Sequence, residues 1–318
     1  MSADTDPGAV WPALSYARLR PTVETLHLWT QIVGKVAVAR SPWLNHSWHL
    51  TLRLSARGLV TPLISAGAVS LQLEFDFIRH ALTVRCTDGG ERRVALEPGT
   101  VAGFYAAVME ALGDVGAPTR IVAKPNELAD AQPFADDHER RAYEPQAAHD
   151  LWRALVQIER VFARFRTRFI GKTSPIHFFW GSADLAVTRF SGRRAPLHPG
   201  GIPNLPDAVT REAYSHEVSS AGFWAGDPGT PEPSFYAYAY PTPAGFAEAR
   251  LSPDGARFDP RLGEFILPYE RMRSAPDPDE ALLAFLQTTY AAAADLAGWD
   301  RAALEREEGP VGRPPPFA

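Results

Sequence analysis

Apolar and polar residues alternate along several stretches of the chain and recur at helical spacing along others. After Pro21, a residue suited to the first turn of a helix, Leu26, Trp29, Ile32, Val33 and Val36 repeat every three or four positions. That spacing predicts a helix ending before Pro42. Trp48, Leu50, Leu52 and Leu54 then alternate with His49, Thr51, Arg53 and Ser55, the period of a half-buried strand. Val69, Leu71, Leu73, Phe75 and Phe77 repeat the pattern, Leu82, Val84 and Cys86 make a third strand, and a fourth follows the turn at Asp88-Gly89-Gly90. A second helix starts near Thr100, with Val101, Phe104, Val108 and Leu112 on one face.

Residues 123–147 are polar, broken by Pro125, Pro133 and Pro145, and read as a linker. The longest helical period follows, from Ala148 through Leu151, Leu155, Ile158, Phe162 and Phe165 to Phe169, ending before Pro175. Strands are expected at Ile176–Trp180, Leu185–Phe190, Tyr214–Ser219 and Ser234–Tyr240. A closing helix follows Pro276-Asp277-Pro278, with Leu282, Leu283, Leu286, Tyr290 and Leu296 on its buried side. Asp277, Asp279 and Glu280 suit its positive end. The Pro-rich tail Gly309–Ala318 is expected to fray.

Clean alternation favours antiparallel sheets covered on one face. The fold class is therefore α+β, in two similar halves, each a mostly antiparallel sheet with amphipathic helices on one face. The halves are 11–122 and 148–300, with a linker at 123–147 and a tail at 301–318. Ser41-Pro42 precedes Arg53-Leu54-Ser55-Ala56-Arg57 much as Ser174-Pro175 precedes Arg189-Phe190-Ser191-Gly192-Arg193. These echoes suggest an internal duplication, in which the polar faces of the two sheets would meet around a pseudo-twofold axis.

Composition narrows the classes of function. The 318 residues are 45 % hydrophobic and 22 % charged with a formal charge of −5, which offers no global footprint for nucleic acid. No apolar run approaches the roughly 20 residues that cross a bilayer. Met1–Gly8 has neither a basic nor an apolar leader segment. A single cysteine, Cys86, excludes an internal disulfide and a multi-thiolate metal site. The expectation is a cytoplasmic protein with no membrane and no nucleic-acid partner.

With thiolates excluded, histidine and carboxylate are the remaining metal ligands, and two His with one carboxylate make a common open set. The candidate ligands of a divalent transition metal are His177 and His216, then His46 and His49, with Asp184 or Glu217 as carboxylate ligand or base. Against this, no compact His-Glu-x-x-His spacing occurs, and the plainer alternative is that each histidine is a satisfied, hydrogen-bonded group at a sheet end. Consecutive strand residues point to opposite faces. His216 is therefore expected toward a pocket and Glu217 away from it, paired with Arg189 or Arg193. The same arginines, Arg189 and Arg193, would grip an anionic substrate, though salt bridges explain them as well. Tyr236, Tyr238 and Tyr240 form an aromatic face that would stack a planar ligand, or simply pack across strands. The Pro/Gly-rich loop 192–212 is long enough for a lid. No glycine-rich phosphate loop and no Gly-x-Ser-x-Gly elbow is present.

The strings Arg168-Phe169-Ile170-Gly171-Lys172-Thr173-Ser174-Pro175-Ile176-His177-Phe178-Phe179-Trp180-Gly181-Ser182 and Tyr214-Ser215-His216-Glu217-Val218-Ser219-Ser220-Ala221-Gly222-Phe223-Trp224 are specific. So are Leu185 to Pro196 and Phe235 to Pro241. Through them the chain resembles a bacterial family catalogued as domain of unknown function 5996, from Trp11 to Trp299. The resemblance implies no activity, cofactor or catalytic residue. It does draw attention to His177, Asp184, Arg189, Arg193, His216 and Glu217, polar residues set among Phe, Trp and Gly, as in a lined pocket. The expected function is a small-molecule enzyme with a His-lined, metal-binding pocket between the halves. The alternative is a non-catalytic ligand-binding or assembly protein without metal.

Overall fold

A computed structural model describes residues 10–313 and 315. The expectations for Met1–Gly8 and for the end of the tail lie outside the described residues. Helix α1 (Tyr16–Arg40) leads into β1 (Arg53–Leu54), β2 (Gly58–Val60), β3 (Ile64–Ala66), β4 (Val69–Asp76), β5 (Ala81–Cys86) and β6 (Glu91–Ala95). After β7 (Gly99–Thr100) come α2 (Val101–Asp114) and β8 (Arg140–Arg141), which pairs with β7. The first sheet is antiparallel in the order β1-β2-β4-β5-β6, with β3 lying beside β2 on the same edge of β4.

The second part begins with α3 (Pro145–Thr167), followed by β9 (His177–Phe179), β10 (Asp184–Arg194), α4 (Asp207–Ala213) and β11 (His216–Trp224). Then come β12 (Ser234–Tyr240), β13 (Arg257–Asp259), β14 (Glu264–Pro268), α5 (Tyr269–Arg273), α6 (Pro278–Leu296) and α7 (Arg301–Leu304). This sheet is also antiparallel, in the order β13-β14-β12-β11-β10-β9. The protein is α+β, with two six-stranded antiparallel sheets and long helices before and after each. That shared architecture suggests the duplication. The sheets do not meet face to face, however. Leu52 N–H donates to Phe178 O at 3.0 Å and Phe178 N–H to Leu52 O at 2.9 Å, so they join edge to edge.

The alternating side chains explain the layers. Leu71, Leu73 and Phe75 turn inward toward α1 and α2, where Trp29 stacks on Phe104 with ring centres 4.5 Å apart. In the second sheet Leu185, Val187, Phe223, Phe235 and Phe265 are buried in the same continuous core as Phe162 of α3 and Leu282 and Leu286 of α6. Helix α6 starts as expected, its Asp277 side chain accepting from Glu280 N–H at 3.1 Å. Among the described residues no helix is long and apolar enough to cross a membrane.

Helix α1 is buried on nearly all sides between Thr25 and Ala37, as a helix wedged between two layers must be. Its Gly34 lies so close to the Trp180 indole that any Cβ would strike the ring. Pro21 falls inside α1 rather than in its first turn, because the helix already starts at Tyr16. The strand expected over Trp48–Ser55 shrinks to Arg53–Leu54. A 3-10 turn at Asn45–Ser47, with His46 and Ser47 at φ of 57° and 59°, coils the chain before it can pair. Tyr214 closes α4, and its strand starts only at His216.

Candidate functional site

The second sheet hides its odd-numbered residues under the helices and turns the other set toward a cavity of about 820 Å³. Asp184, Ala186, Thr188 and Phe190 of β10 line it. So do Val218, Ser220 and Trp224 of β11, Tyr236 and Tyr238 of β12, and Glu264 of β14. The opposite wall is His27 and Val23 of α1, the turn His46–Trp48, and residues 126–128 of the linker. Ile202, Leu205 and Thr210, from the Pro/Gly-rich loop and α4, close one side. That loop is pinned to the linker: Glu127 N–H donates to Pro203 O at 2.9 Å and the Asn204 amide to Leu128 O at 2.6 Å. It forms a wall of the cavity.

Asp184 is the most buried carboxyl at the cavity. Its carboxylate accepts hydrogen bonds from the Ser182 hydroxyl and the Tyr236 phenol. Burial outweighs those bonds and raises its pKa. Glu127 and Glu264, both half-buried, are pushed up to about 7 by burial and by the nearby charge of Asp184. Two glycines make this crowding feasible. A Cβ at Gly181 would run into the Glu127 carboxylate, and a Cβ at Gly222 into the Tyr236 hydroxyl. Tyr238 shares a 3.0 Å hydrogen bond with Tyr214, and burial raises the pKa of Tyr214, Tyr236 and Tyr238.

Several polar groups end at the cavity wall without a partner. Among the described residues Tyr16 Oη, Ser47 Oγ, His177 Nδ1 and Thr210 Oγ1 are buried with no hydrogen bond inside the protein. Burial and the charges of Arg53 and Arg166 hold His177 down to about 3, so its imidazole is neutral. Burial lowers the pKa of His27 too, whose Nε2 lies 2.6 Å from Gly181 O.

The histidines expected to share a metal do not converge. His177 sits within the cavity. His46 is tied through Nδ1 to Ala213 O at 3.1 Å and through Nε2 to Lys172 Nζ at 2.6 Å. His216 lies beside His46 with ring centres 6.5 Å apart and bonds to Ser215, whereas His49 accepts from Leu44 N–H and packs on Trp43. Among the described residues no three His, Cys, Asp or Glu side chains are placed to hold a metal ion. That donor set does not fit one.

The arginines expected to grip an anion are elsewhere. Arg189 is on the helix-covered face, fully buried, its guanidinium 3.5 Å from the Phe165 ring centre and 4.3 Å from that of Tyr290. It donates to Phe165 O, and burial lowers it to about 9. Glu217 shares that face, away from His216, and binds Arg193 at 2.7 Å and Ser191 at 2.8 Å. Neither Arg189, Arg193 nor Glu217 lines the cavity, because all three stand on the wrong side of the pleat. Tyr236 and Tyr238 do line it, their rings stacked 6.2 Å apart at 14°. Nothing in the sequence pattern singles out Glu127, Glu264, Tyr214 or His27 as site residues. Glu264 opens the five-residue strand β14, too short to show a period, and Glu127 lies in a polar, proline-broken stretch. His27 sits in α1 beside the apolar stripe of Leu26, Trp29 and Val33, and no local pattern singles it out.

Family of unknown function (DUF5996) matches residues 11–306 of the chain. No curated protein and no solved structure matches it.

Proposed function

We propose that this chain, which belongs to the DUF5996 family of unknown function, is a small-molecule enzyme working by general acid–base chemistry in the cavity on the second sheet. The observation that carries this reading is the pair Glu127 and Glu264, brought to about 7 inside a lined cavity. A carboxyl that titrates near neutrality can take up and release a proton at the pH where the protein works. Asp184 and Tyr236 form the fixed centre between them. The Tyr236 hydroxyl donates to Asp184, which holds that carboxylate in one orientation. The unpartnered His177 Nδ1 and Thr210 Oγ1 supply further contacts for orienting a ligand. An acidic cavity disfavours a polyanion, which argues against nucleic acid as partner. A cytoplasmic place of work is supported by the lone buried thiol of Cys86.

The test is a thermal-shift panel of metabolites, followed by incubation of each stabilising compound with the protein and mass spectrometry. The proposal expects a mass change or isotope exchange from solvent that Asp184→Asn or Glu264→Gln slows by roughly 100-fold or more. Stabilising compounds returned unchanged and unexchanged would make the protein a ligand binder without chemistry. A panel in which nothing stabilises would remove the pocket reading itself.

A further inference from the structure

We propose that the ligand of this cavity is an organic cation, an amine or amidine protonated at neutral pH, held by Asp184, Glu127 and Glu264 against the Tyr236 and Tyr238 rings. The inference deepens, and rests on, the reading of the cavity as a small-molecule site. These three cavity carboxyls differ from the strand carboxyls that are neutralised in place. Glu74, Asp76 and Glu217 each hold an arginine, at 2.7 Å, 2.5 Å and 2.7 Å. Among the described residues Asp184, Glu127 and Glu264 have no ion pair, and the glutamate side chains accept no hydrogen bond. The nearest charge felt by either glutamate is Asp184, which repels it. Arg20 also lines the cavity but is bound to Glu24 at 2.8 Å. A bound cation would turn this repulsion into attraction, and a bound anion would add to it.

Two further observations point to the same ligand. The cavity wall is aromatic as well as acidic: Trp48, Phe179, Trp180 and Trp224 join the two tyrosines. Aromatic faces beside a carboxylate are the recognition surface of organic ammonium groups, because ring quadrupole and carboxylate charge act with the same sign. Independently, His177 Nδ1 and Thr210 Oγ1 are 1 % and 2 % exposed residues' atoms left without a partner at the cavity. A neutral imidazole nitrogen and a hydroxyl oxygen both accept from the several N–H donors that an ammonium or amidinium carries.

The experiment is calorimetric titration of the full chain with phenethylamine, 2-phenylethanol and 3-phenylpropanoate, three ligands of one body and different end charge. The inference expects the ammonium to bind at least about tenfold more tightly than the other two. Glu264→Gln and Asp184→Asn should each cost the ammonium about tenfold or more, as loss of a charged hydrogen bond does. Should Asp184→Asn fail to fold, Glu264→Gln decides, since that carboxylate holds up no hydrogen bond. Equal or tighter binding of the alcohol or the carboxylate would overturn the inference and leave the pocket reading standing. Binding of none of the three would also overturn it, while the metabolite panel judges the pocket reading separately.

Discussion

Glu264 shows how a single carboxyl couples stability to pH here. Its ordinary value is 4.5 and its folded value about 7. The folded chain therefore holds a proton that the unfolded chain releases, and stability falls as pH rises from about 4.5 to about 7. Solvent in the cavity screens part of this, leaving about 1–2 kcal/mol. Glu264→Gln should remove that share: urea midpoints at pH 5 and pH 8 should differ less in the variant than in the wild type. An unchanged difference would show that Glu264 is not strained by burial. The arginines teach the opposite lesson. Arg193 is half exposed and Glu217 is 17 % exposed, so the pair is a partly solvated one. Arg193 also donates to Ala297 O at the end of α6, at 2.7 Å. Arg193→Ala should then cost about 1 kcal/mol by denaturant unfolding. The 3–5 kcal/mol penalty of stranding a buried charge is not expected.

At the scale of elements, the contact between α1 and Trp180 fixes one wall of the cavity. Trp180 Nε1 donates to Leu50 O at 2.7 Å, which leaves the indole little room to retreat from Gly34. Alanine at position 34 gains up to about 1 kcal/mol of helix propensity, but overpacking a core costs about 1–3 kcal/mol. The clash wins, and Gly34→Ala should lower the urea midpoint; a rise would mean that the helix slides freely on the indole. Most elements were legible because their apolar residues keep one period: α2, β4, β5, β12 and α6 lie where periodicity predicts them. The missed strands β2, β3, β7, β8, β13 and β14 are two to five residues long, too short for a period to show. The stretch Trp48–Ser55 alternates well, yet after the left-handed turn at His46 and Ser47 only Leu52, as a single bridge to Phe178, and Arg53–Leu54, as a short strand, pair with neighbours. Alternation records which side is buried, not whether a neighbour strand is within reach.

For the whole molecule, the two sheets share an edge at Leu52 and Phe178 and one continuous core that runs through α1. Heating should therefore give a single calorimetric transition; two resolved transitions would mean that the halves fold independently. The same joint explains why the candidate site was only half legible. Asp184, His177, Tyr236 and Tyr238 belong to one sheet face and could be picked from strand pattern. Glu127 and His27 reach that face only through tertiary packing, which no local period encodes. Arg189 was misassigned because its helix-side position is decided by the pleat, counted from Asp184, and not by its polar character. What the whole account depends on is that the assembled cavity holds carboxyls which change protonation near neutral pH. Carbon-13 NMR of glutamate and aspartate carboxyls across pH 4 to 9 measures this directly. Two glutamate carboxyls should titrate near 7, one disappearing in Glu127→Gln and the other in Glu264→Gln. A spectrum in which every glutamate titrates below about 5, the ordinary range, would contradict the account.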